Sequence, residues 1–186
     1  GGGSYCVGGT GVSIGLSGST SGVNYTVTNG SASATLAGTG SPLNFGLFTS
    51  TGTYTITAVN ATTGCTNTML GSASVSTNVL PTAYTVGGGG AYCAGGAGVN
   101  ITLSNSTLGI SYQLMLGGSP SGSAVAGTGG SITFSSVTTA GTYTIVATNI
   151  TTSCTNTMTG SATVTINPLP LIYTVTGGGG YCVGGT

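Results

Sequence analysis

The sequence contains no lysine, arginine, aspartate, glutamate or histidine among its 186 residues. An average soluble domain has about 25% charged residues, so roughly 45 ionisable side chains are missing. Without histidine, carboxylate or amine side chains no general base is available near neutral pH, and we expect no enzyme. The usual metal ligands are missing, and no cation can bind the phosphates of nucleic acid, so we expect no cofactor, metal or nucleic-acid partner. The composition predicts a structural protein.

Long apolar runs are missing too. No stretch of 18 or more apolar residues occurs, so we expect no membrane span. No charged segment precedes an apolar stretch, and therefore no signal peptide is visible. The opening decapeptide GGGSYCVGGT belongs to a motif that returns later, which predicts that the sequence starts inside a longer array.

What the sequence does contain is an internal repeat. The hexapeptide YCVGGT at residues 5–10 returns as YCAGGA at 92–97 and as YCVGGT at 181–186. The segment 52–76 recurs from residue 141, shifted by 89 residues. A period of about 88 residues is too long for one coil of a solenoid, whose units have about 20 to 45 residues. Each repeat is therefore predicted to be one small domain.

The repeat sets the predicted domain boundaries. We assign one domain to residues 1–81, a second to residues 82–170, and the opening strand of a third to residues 171–186. The last segment is too short to form a domain alone. We expect it to pair with a following unit, either in the same chain or in the next subunit along a fibre.

Within each unit, apolar residues alternate with small or polar residues over short runs. Such runs, separated by Gly, Asn, Ser and Thr clusters, predict half-buried antiparallel strands. Asn29 and Gly30 lie between two runs and predict a tight type I′ hairpin turn. About seven strands per unit and no amphipathic helix are typical of an all-β fold of tandem immunoglobulin-like β-sandwich domains. The runs in the first unit contain Val12, Ile14 and Leu16; Val23, Tyr25 and Val27; Leu43, Phe45 and Leu47; Tyr54, Ile56 and Ala58; and Met69, Ala73 and Val75.

Tyr54 and Tyr143 occupy equivalent positions, and we expect them in the core at a strand corner, like the tyrosine corner of β-sandwiches. The GGGG segments at 87–90 and 177–180 are not followed by lysine or a helix, so they do not indicate a phosphate site. We interpret them as linker or bulge segments.

The GTYTI segments at 52–56 and 141–145 are each followed by a cysteine after an Asn-containing turn. They resemble the penultimate strand of Ig-like tandem repeats from very large bacterial secreted and cell-surface proteins. The NPLP linker at 167–170 and the YTVTGGGGYC segment after it are similar to that family as well. The resemblance covers essentially the whole chain. It implies an Ig-like fold, an extracellular or cell-surface location and an adhesin-like context.

The five cysteines favour disulfides over a metal site, because no CxxC motif and no histidine occur. In an Ig-like sandwich, the start of the first strand and the loop before the last strand are expected at the same end. We therefore predict the pairs Cys6–Cys65 and Cys93–Cys154, with Cys182 bonded to the next unit; free buried thiols are the alternative. Disulfides would place the protein outside the cytosol.

Six Asn-x-Ser/Thr sequons make glycosylation a further prediction. Asn60 and Asn149 are equivalent positions, each at a turn just past the tyrosine strand, and are the best candidates. Sequons also arise by chance in so polar a chain, and O-linked sugars on threonine-rich strand faces are the alternative. A surface without charge lacks the repulsion that keeps proteins dispersed, and covalent glycans would restore solvation. The remaining candidates are Asn24, Asn29, Asn100 and Asn105.

Three functions remain. The first is the structural repeat of an extracellular fibre, because neutral edge strands lack the lysines that usually block self-association. The second is the passive stalk of a cell-surface adhesin. The third is an ice- or carbohydrate-binding module, because Thr-x-Thr alternation at 53–57, 142–144 and 163–165 is similar to ice-binding surfaces. Threonine is also a common residue on the solvent face of a strand, which is the simpler explanation.

Overall fold

The computed structural model describes residues 1–180 and residue 183. In this part of the chain, all regular secondary structure consists of β-strands. The strands build two sandwiches, here called unit 1 and unit 2, each around its own hydrophobic core. The predicted all-β, Ig-like β-sandwich fold is confirmed. Among the described residues no helix is long and apolar enough to cross a membrane.

Unit 1 contains β1 (Gly3–Cys6), β2 (Val12–Leu16), β3 (Val23–Thr28), β4 (Ser33–Ala37), β5 (Leu43–Phe48), β6 (Gly52–Asn60), β7 (Thr66–Thr68) and β8 (Ala73–Asn78). Its larger sheet has the order β1-β8-β6-β3-β4, with β7 paired to β6. Its smaller sheet pairs β2 with β5. Ile14, Val27, Tyr54 and Val75 are buried between the sheets because alternate side chains of each strand face inward.

Unit 2 contains β9 (Val86–Gly88), β10 (Gly90–Cys93), β11 (Val99–Leu103), β12 (Ile110–Leu116), β13 (Ser119–Pro120), β14 (Val125–Ala126), β15 (Ile132–Val137), β16 (Gly141–Asn149), β17 (Thr155–Thr157) and β18 (Ala162–Asn167). The larger sheet has the order β10-β18-β16-β12-β13, with β14 on β12 and β17 on β16. The smaller sheet has the order β15-β11-β9. It therefore has one strand more than the smaller sheet of unit 1.

The predicted alternation of inward-facing and outward-facing side chains agrees with the observed burial in most strands but not in β5. There Leu47 is 60% exposed, while its neighbour Phe48 is buried. The register between β2 and β5 shifts next to Gly46, whose φ is 88°. A bulge with a glycine at positive φ adds one residue to the strand, so the side chains after it change face.

The predicted hairpin after β3 forms, but its turn is not type I′. The loop at residues 29–32 has four residues, and only Gly30 of the Asn-Gly pair has a positive φ. The Asn29 Oδ1 accepts hydrogen bonds from the N–H groups of Ser31 at 3.0 Å and Ala32 at 2.8 Å. The asparagine side chain closes this wider loop, as Asx turns do.

The glycines at residues 87–90 carry the chain from the smaller sheet of unit 2 to the larger one. β9 ends at Gly88 and β10 begins at Gly90. Gly88 has a φ of 80°, and a Cβ atom there would lie 2.4 Å from the Asn100 carbonyl oxygen. Only glycine fits such a close backbone approach.

The opening strand of each larger sheet runs parallel to the closing strand. β1 pairs with β8, so that Cys6 lies opposite Asn78, and β10 pairs with β18, so that Cys93 lies opposite Asn167. Each opening cysteine therefore lies where the chain leaves its unit. We call this the distal end, and the end where the chain enters the proximal end.

Tyr54 and Tyr143 form tyrosine corners, as predicted. Both rings are buried. The Tyr54 hydroxyl donates to the Ser50 carbonyl oxygen and the Tyr143 hydroxyl to that of Thr139, both at 2.8 Å. Each bond joins the start of a long central strand to the loop before it.

Replacing Tyr143 with phenylalanine is expected to lower the free energy of unfolding of unit 2 by about 0.5–1.5 kcal/mol, because the part-buried hydrogen bond from the Tyr143 hydroxyl to the Thr139 carbonyl oxygen is lost. The control is Tyr84→Phe, whose hydroxyl bonds an exposed threonine, Thr107, at 2.9 Å. Its effect should stay within about 0.5 kcal/mol. Urea unfolding under non-reducing conditions measures both, and equal effects would contradict the prediction.

Candidate assembly interface

One disulfide joins the two units. Cys6 at the end of β1 is bonded to Cys154, in the loop before β17, with Cα atoms 5.6 Å apart. The predicted pairs Cys6–Cys65 and Cys93–Cys154 are therefore wrong. Cys154 is fully buried, whereas Cys65 and Cys93 are exposed and have no disulfide partner among the described residues. Cys182 lies outside the described residues.

Strand direction explains the correction. Because β1 runs parallel to β8, Cys6 lies at the distal end of unit 1. Cys65 lies at the proximal end, where its carbonyl oxygen accepts a hydrogen bond from the N–H of Asn60 at 2.9 Å. β6 has nine residues and is therefore about 30 Å long. A disulfide needs Cα atoms within about 7 Å, so the two cysteines of one unit cannot pair.

The same geometry explains the observed bridge. Cys154 lies at the proximal end of unit 2, next to the linker that enters this unit. There the Asn156 side-chain amide donates to the Pro81 carbonyl oxygen at 2.7 Å. The distal end of unit 1 thus meets the proximal end of unit 2, which brings Cys6 to Cys154. A bridge that closes a loop of this length stabilises by on the order of 5 kcal/mol in the chain-entropy model.

Cys65 and Cys93 are the unbonded counterparts of the bridged pair. Cys65 has the position in unit 1 that Cys154 has in unit 2, and Cys93 has the position in unit 2 that Cys6 has in unit 1. Cys65 therefore lies at the proximal end of unit 1 and Cys93 at the distal end of unit 2. The chain presents one half of the same bridge at each outer end.

An open groove of about 480 Å³ lies along the smaller sheet of unit 1, between β2 and the segment that joins β7 to β8. β2 pairs with β5 on one side. On its other side, no strand of the described chain pairs with it. The main apolar lining residues are Ile14, Leu16, Tyr54, Ile56, Met69 and Ala73.

In unit 2 the corresponding position is filled by the chain itself, with β9 alongside β11. Val86 lies opposite Leu103 and is 6% exposed. The N–H of Thr159 donates to the Tyr84 carbonyl oxygen at 2.9 Å, and the N–H of Val86 donates to the Thr159 carbonyl oxygen at 2.9 Å. The segment from Tyr84 to β9 therefore forms hydrogen bonds with β11 on one side and with Thr159 on the other.

Two apolar side chains that are buried beside β9 in unit 2 are only partly buried at the equivalent positions of unit 1. In unit 2, Leu103 is 0% and Met158 is 3% exposed. Their counterparts Leu16 and Met69 are only partly buried. The groove lies directly beside Gly1, at the position that the covering strand β9 occupies in unit 2.

Residues 171–180 belong to no strand and follow the distal end of unit 2. We call them the tail. The YTV at residues 173–175 repeats the YTV at residues 84–86, the segment that fills the groove of unit 2. The apolar side chains of the tail are exposed. The most exposed are Leu171 (78%), Ile172 (98%), Tyr173 (79%) and Val175 (96%).

Asn60 and Asn149 lie at the proximal ends of their units, as the last residues of β6 and β16. Both are partly buried. The Asn60 Oδ1 accepts hydrogen bonds from the N–H groups of Thr62 and Thr63, both at 3.0 Å, and Asn149 forms the same turn in unit 2. Their Nδ2 atoms donate to no acceptor in the described part of the chain, so attachment of a sugar breaks no hydrogen bond there.

The other sequon asparagines differ in access. Asn24, Asn100 and Asn105 are exposed. The Asn29 Nδ2 donates to the Thr51 carbonyl oxygen at 3.1 Å. Attachment at Asn29 would break that bond, which makes it the poorest of the six candidates.

The threonine alternation lies on the outer face of the larger sheets. Thr53 and Thr55 are exposed, and across the same sheet the Thr26 and Thr35 hydroxyls lie 2.8 Å apart and hydrogen-bond each other. No group of three or more potential metal-ligating side chains occurs among the described residues.

No protein family and no curated protein sequence matches the chain. Among solved structures, it is similar to the fibronectin(III)-like modules of CbhA from Clostridium thermocellum, at 14% identity over 89% of this chain and 90% of that chain, with a TM-score of 0.39. Immunoglobulin domains 1–4 of Sidekick-1 match at 15% identity over 86% of this chain and 48% of theirs, with a TM-score of 0.28. These likenesses concern the β-sandwich fold alone.

Disulfide mapping tests the inter-unit bridge. Because the chain has no lysine or arginine, trypsin cannot cut it, and a non-reducing chymotryptic digest is used with mass spectrometry. We expect a Cys6–Cys154 peptide pair that persists in Cys65→Ser and Cys93→Ser chains and disappears in a Cys6→Ser chain. A Cys6–Cys65 pair would contradict the structure.

Proposed function

We propose that the chain is a structural repeat unit of an extracellular fibre or filament and that it is glycosylated. The observation that carries this proposal is the end-to-end connection of the two units. The Cys6–Cys154 disulfide joins the distal end of unit 1 to the proximal end of unit 2. The thiols of Cys65 and Cys93, the counterparts of this pair, are exposed at the opposite ends of the two units. A connection that repeats head to tail generates a filament rather than a closed dimer.

The neutral surface supports this function. Association of two copies desolvates no charge, because the chain has no charged side chain. No strand of the chain carries a lysine that would prevent edge-to-edge association. Solvation of such a surface would come from glycans, for which Asn60 and Asn149 are the best-placed sites.

The Ig-like fold and the Cys6–Cys154 disulfide fit an extracellular protein, since disulfides persist in oxidising compartments. The bridge also suits a mechanical role. When the chain is pulled from its ends, tension passes from Cys6 through the disulfide to Cys154. Residues 7–153 then lie outside the load path, so most of both sandwiches is protected from forced unfolding.

Electron microscopy of the native extracellular material, prepared without detergent, tests the proposal. We expect long uniform fibres with an axial repeat of about 35–40 Å per unit, because strands about 30 Å long are followed by a short linker. Density for sugars should project near Asn60 and Asn149. Isolated flexible strings anchored to cells would contradict the fibre and favour the stalk of an adhesin.

Force spectroscopy on single chains held at both ends tests the mechanical role. An oxidised chain should extend by no more than about 140 Å, since only about 39 residues carry tension at about 3.5 Å each. The Cys6→Ser chain should extend to about 650 Å, the length of the whole unfolded chain. Long extensions of the oxidised wild-type chain would show that the bridge does not protect the units.

A further inference from the structure

We infer that Cys93 forms a disulfide with the unit that follows unit 2, at the residue equivalent to Cys65, because that unit is of the unit 1 type. We call it the third unit, and residues 171–186 are its opening segment. The inference rests on the proposed fibre function and specifies the junction between unit 2 and the third unit. The junction between unit 1 and unit 2 provides the pattern.

The opening segment of the third unit matches unit 1 more closely than unit 2. Residues 177–186 read GGGGYCVGGT, and nine of these ten residues are identical to residues 1–10. Only seven are identical to residues 88–97, which open unit 2. Units of the two types therefore alternate, and residue 186 corresponds to residue 10 of unit 1.

Three contacts join unit 2 to the residues that precede it, and each uses one side chain of the segment 154–158. They are the Cys6–Cys154 disulfide, the 2.7 Å hydrogen bond from the Asn156 Nδ2 to the Pro81 carbonyl oxygen, and the 3.4 Å hydrogen bond from the Tyr84 N–H to the Met158 Sδ. One short segment thus binds the distal end of the preceding unit and the linker together.

Both members of every contact occur a second time in the chain. The segment 154–158 reads CTNTM, and residues 65–69 of unit 1 have the identical sequence. On the other side of the junction, Cys6, Pro81 and Tyr84 have counterparts at equivalent positions after unit 2. These counterparts are Cys93, Pro170 and Tyr173.

In unit 1 the segment 65–69 is uncovered where its counterpart is covered. Cys65 is exposed, whereas Cys154 is 0% exposed. Asn67 is exposed, whereas Asn156 is partly buried. A unit of the unit 1 type therefore presents a thiol and an amide donor to the unit before it.

Cys93 lies where it can reach the third unit. It is opposite Asn167 on the closing strand of unit 2, as Cys6 is opposite Asn78 in unit 1. After each asparagine, a linker of five residues leads to the tyrosine of the next unit. A third unit that follows unit 2 as unit 2 follows unit 1 therefore brings its equivalent of Cys65 to Cys93. Both thiols are exposed, so neither core has to open.

The disulfide forms by oxidation of the two thiols. Two S–H bonds break and one S–S bond forms, which releases two protons and two electrons. A small-molecule disulfide such as oxidised glutathione accepts them and becomes two thiols. Because the new bond spans the linker, a cut within residues 168–172 would leave the third unit covalently attached to unit 2.

The test extends the chain by one unit of known sequence. Residues 11–81 are placed after Thr186, since residues 181–186 are identical to residues 5–10. Unit 1 itself carries Cys65→Ser, so that the added unit contains the only Cys65. After oxidation in a glutathione redox buffer, the monomer from a non-reducing gel is digested with chymotrypsin and analysed by mass spectrometry. We expect a Cys93–Cys65 peptide pair beside the Cys6–Cys154 pair.

Asn67 supplies a matched pair of variants. In the added unit, Asn67→Ala should shift the glutathione equilibrium against the Cys93–Cys65 bond about twofold to tenfold, because the hydrogen bond to the Pro170 carbonyl oxygen is lost. The same substitution in unit 1, which has no unit before it in the extended chain, should change nothing. Asn67 is exposed, so neither substitution disturbs a core.

A Cys93 thiol that reacts with iodoacetamide in the oxidised, folded monomer would overturn the inference. A Cys93–Cys182 peptide pair would overturn it as well, and so would equal effects of Asn67→Ala in unit 1 and in the added unit. A Cys93–Cys65 pair that is weakened only by the substitution in the added unit supports it.

Native extracellular material provides a second measurement that needs no added unit. Its chymotryptic digest should contain the Cys93–Cys65 pair together with the Cys6–Cys154 pair. Fibres in which Cys93 is a thiol, or is bonded to a cysteine outside a CTNTM segment, would overturn the inference and leave the proposed fibre function in place. Strings without fibres would contradict the proposed function instead.

Discussion

The parallel pairing of the opening strand with the closing strand is the constraint on which the rest of the molecule depends. In both units it carries the opening cysteine away from the end where the chain enters. Cys6 therefore lies far from Cys65 and next to the neighbouring unit, where it is bonded to Cys154 near the linker. An antiparallel opening strand would have kept each disulfide inside one sandwich. The connection between units is therefore a consequence of strand direction.

Because the chain has no charged side chains, it is stabilised by apolar burial, by backbone hydrogen bonds between strands and by hydrogen bonds of neutral side chains. Tyrosine hydroxyls hold the strand corners, and asparagine side chains close the loops after β3, β6 and β16. Glycine makes the crossover between sheets possible where a side chain would clash with backbone. Among the described residues, no buried side-chain nitrogen or oxygen lacks a hydrogen-bond partner. A neutral chain can thus satisfy its interior fully.

The smaller sheet of unit 2 is completed from outside its own repeat. Its third strand is supplied by the segment that follows the last strand of unit 1. Gly1 packs against Ser13 and Ile14 as Gly88 packs against Asn100 and Ile101, so the groove of unit 1 lies where residues preceding Gly1 would run. The tail after unit 2 repeats the sequence of such a covering segment. Successive units are thus connected by a shared strand as well as by the disulfide.

The sequence by itself determined the all-β fold, most of the strands and the tyrosine corners, because side-chain alternation and the repeat are local patterns. Alternation has the same period in parallel and antiparallel strands, so it does not reveal strand direction. The wider loop at Asn29 and the bulge at Gly46 depend on backbone geometry that Asn-Gly and alternation do not specify. Tertiary structure alone decided which end of a unit each cysteine occupies and which segment completes the smaller sheet of unit 2. Both depend on contacts between segments far apart in the chain, and such contacts leave no local pattern.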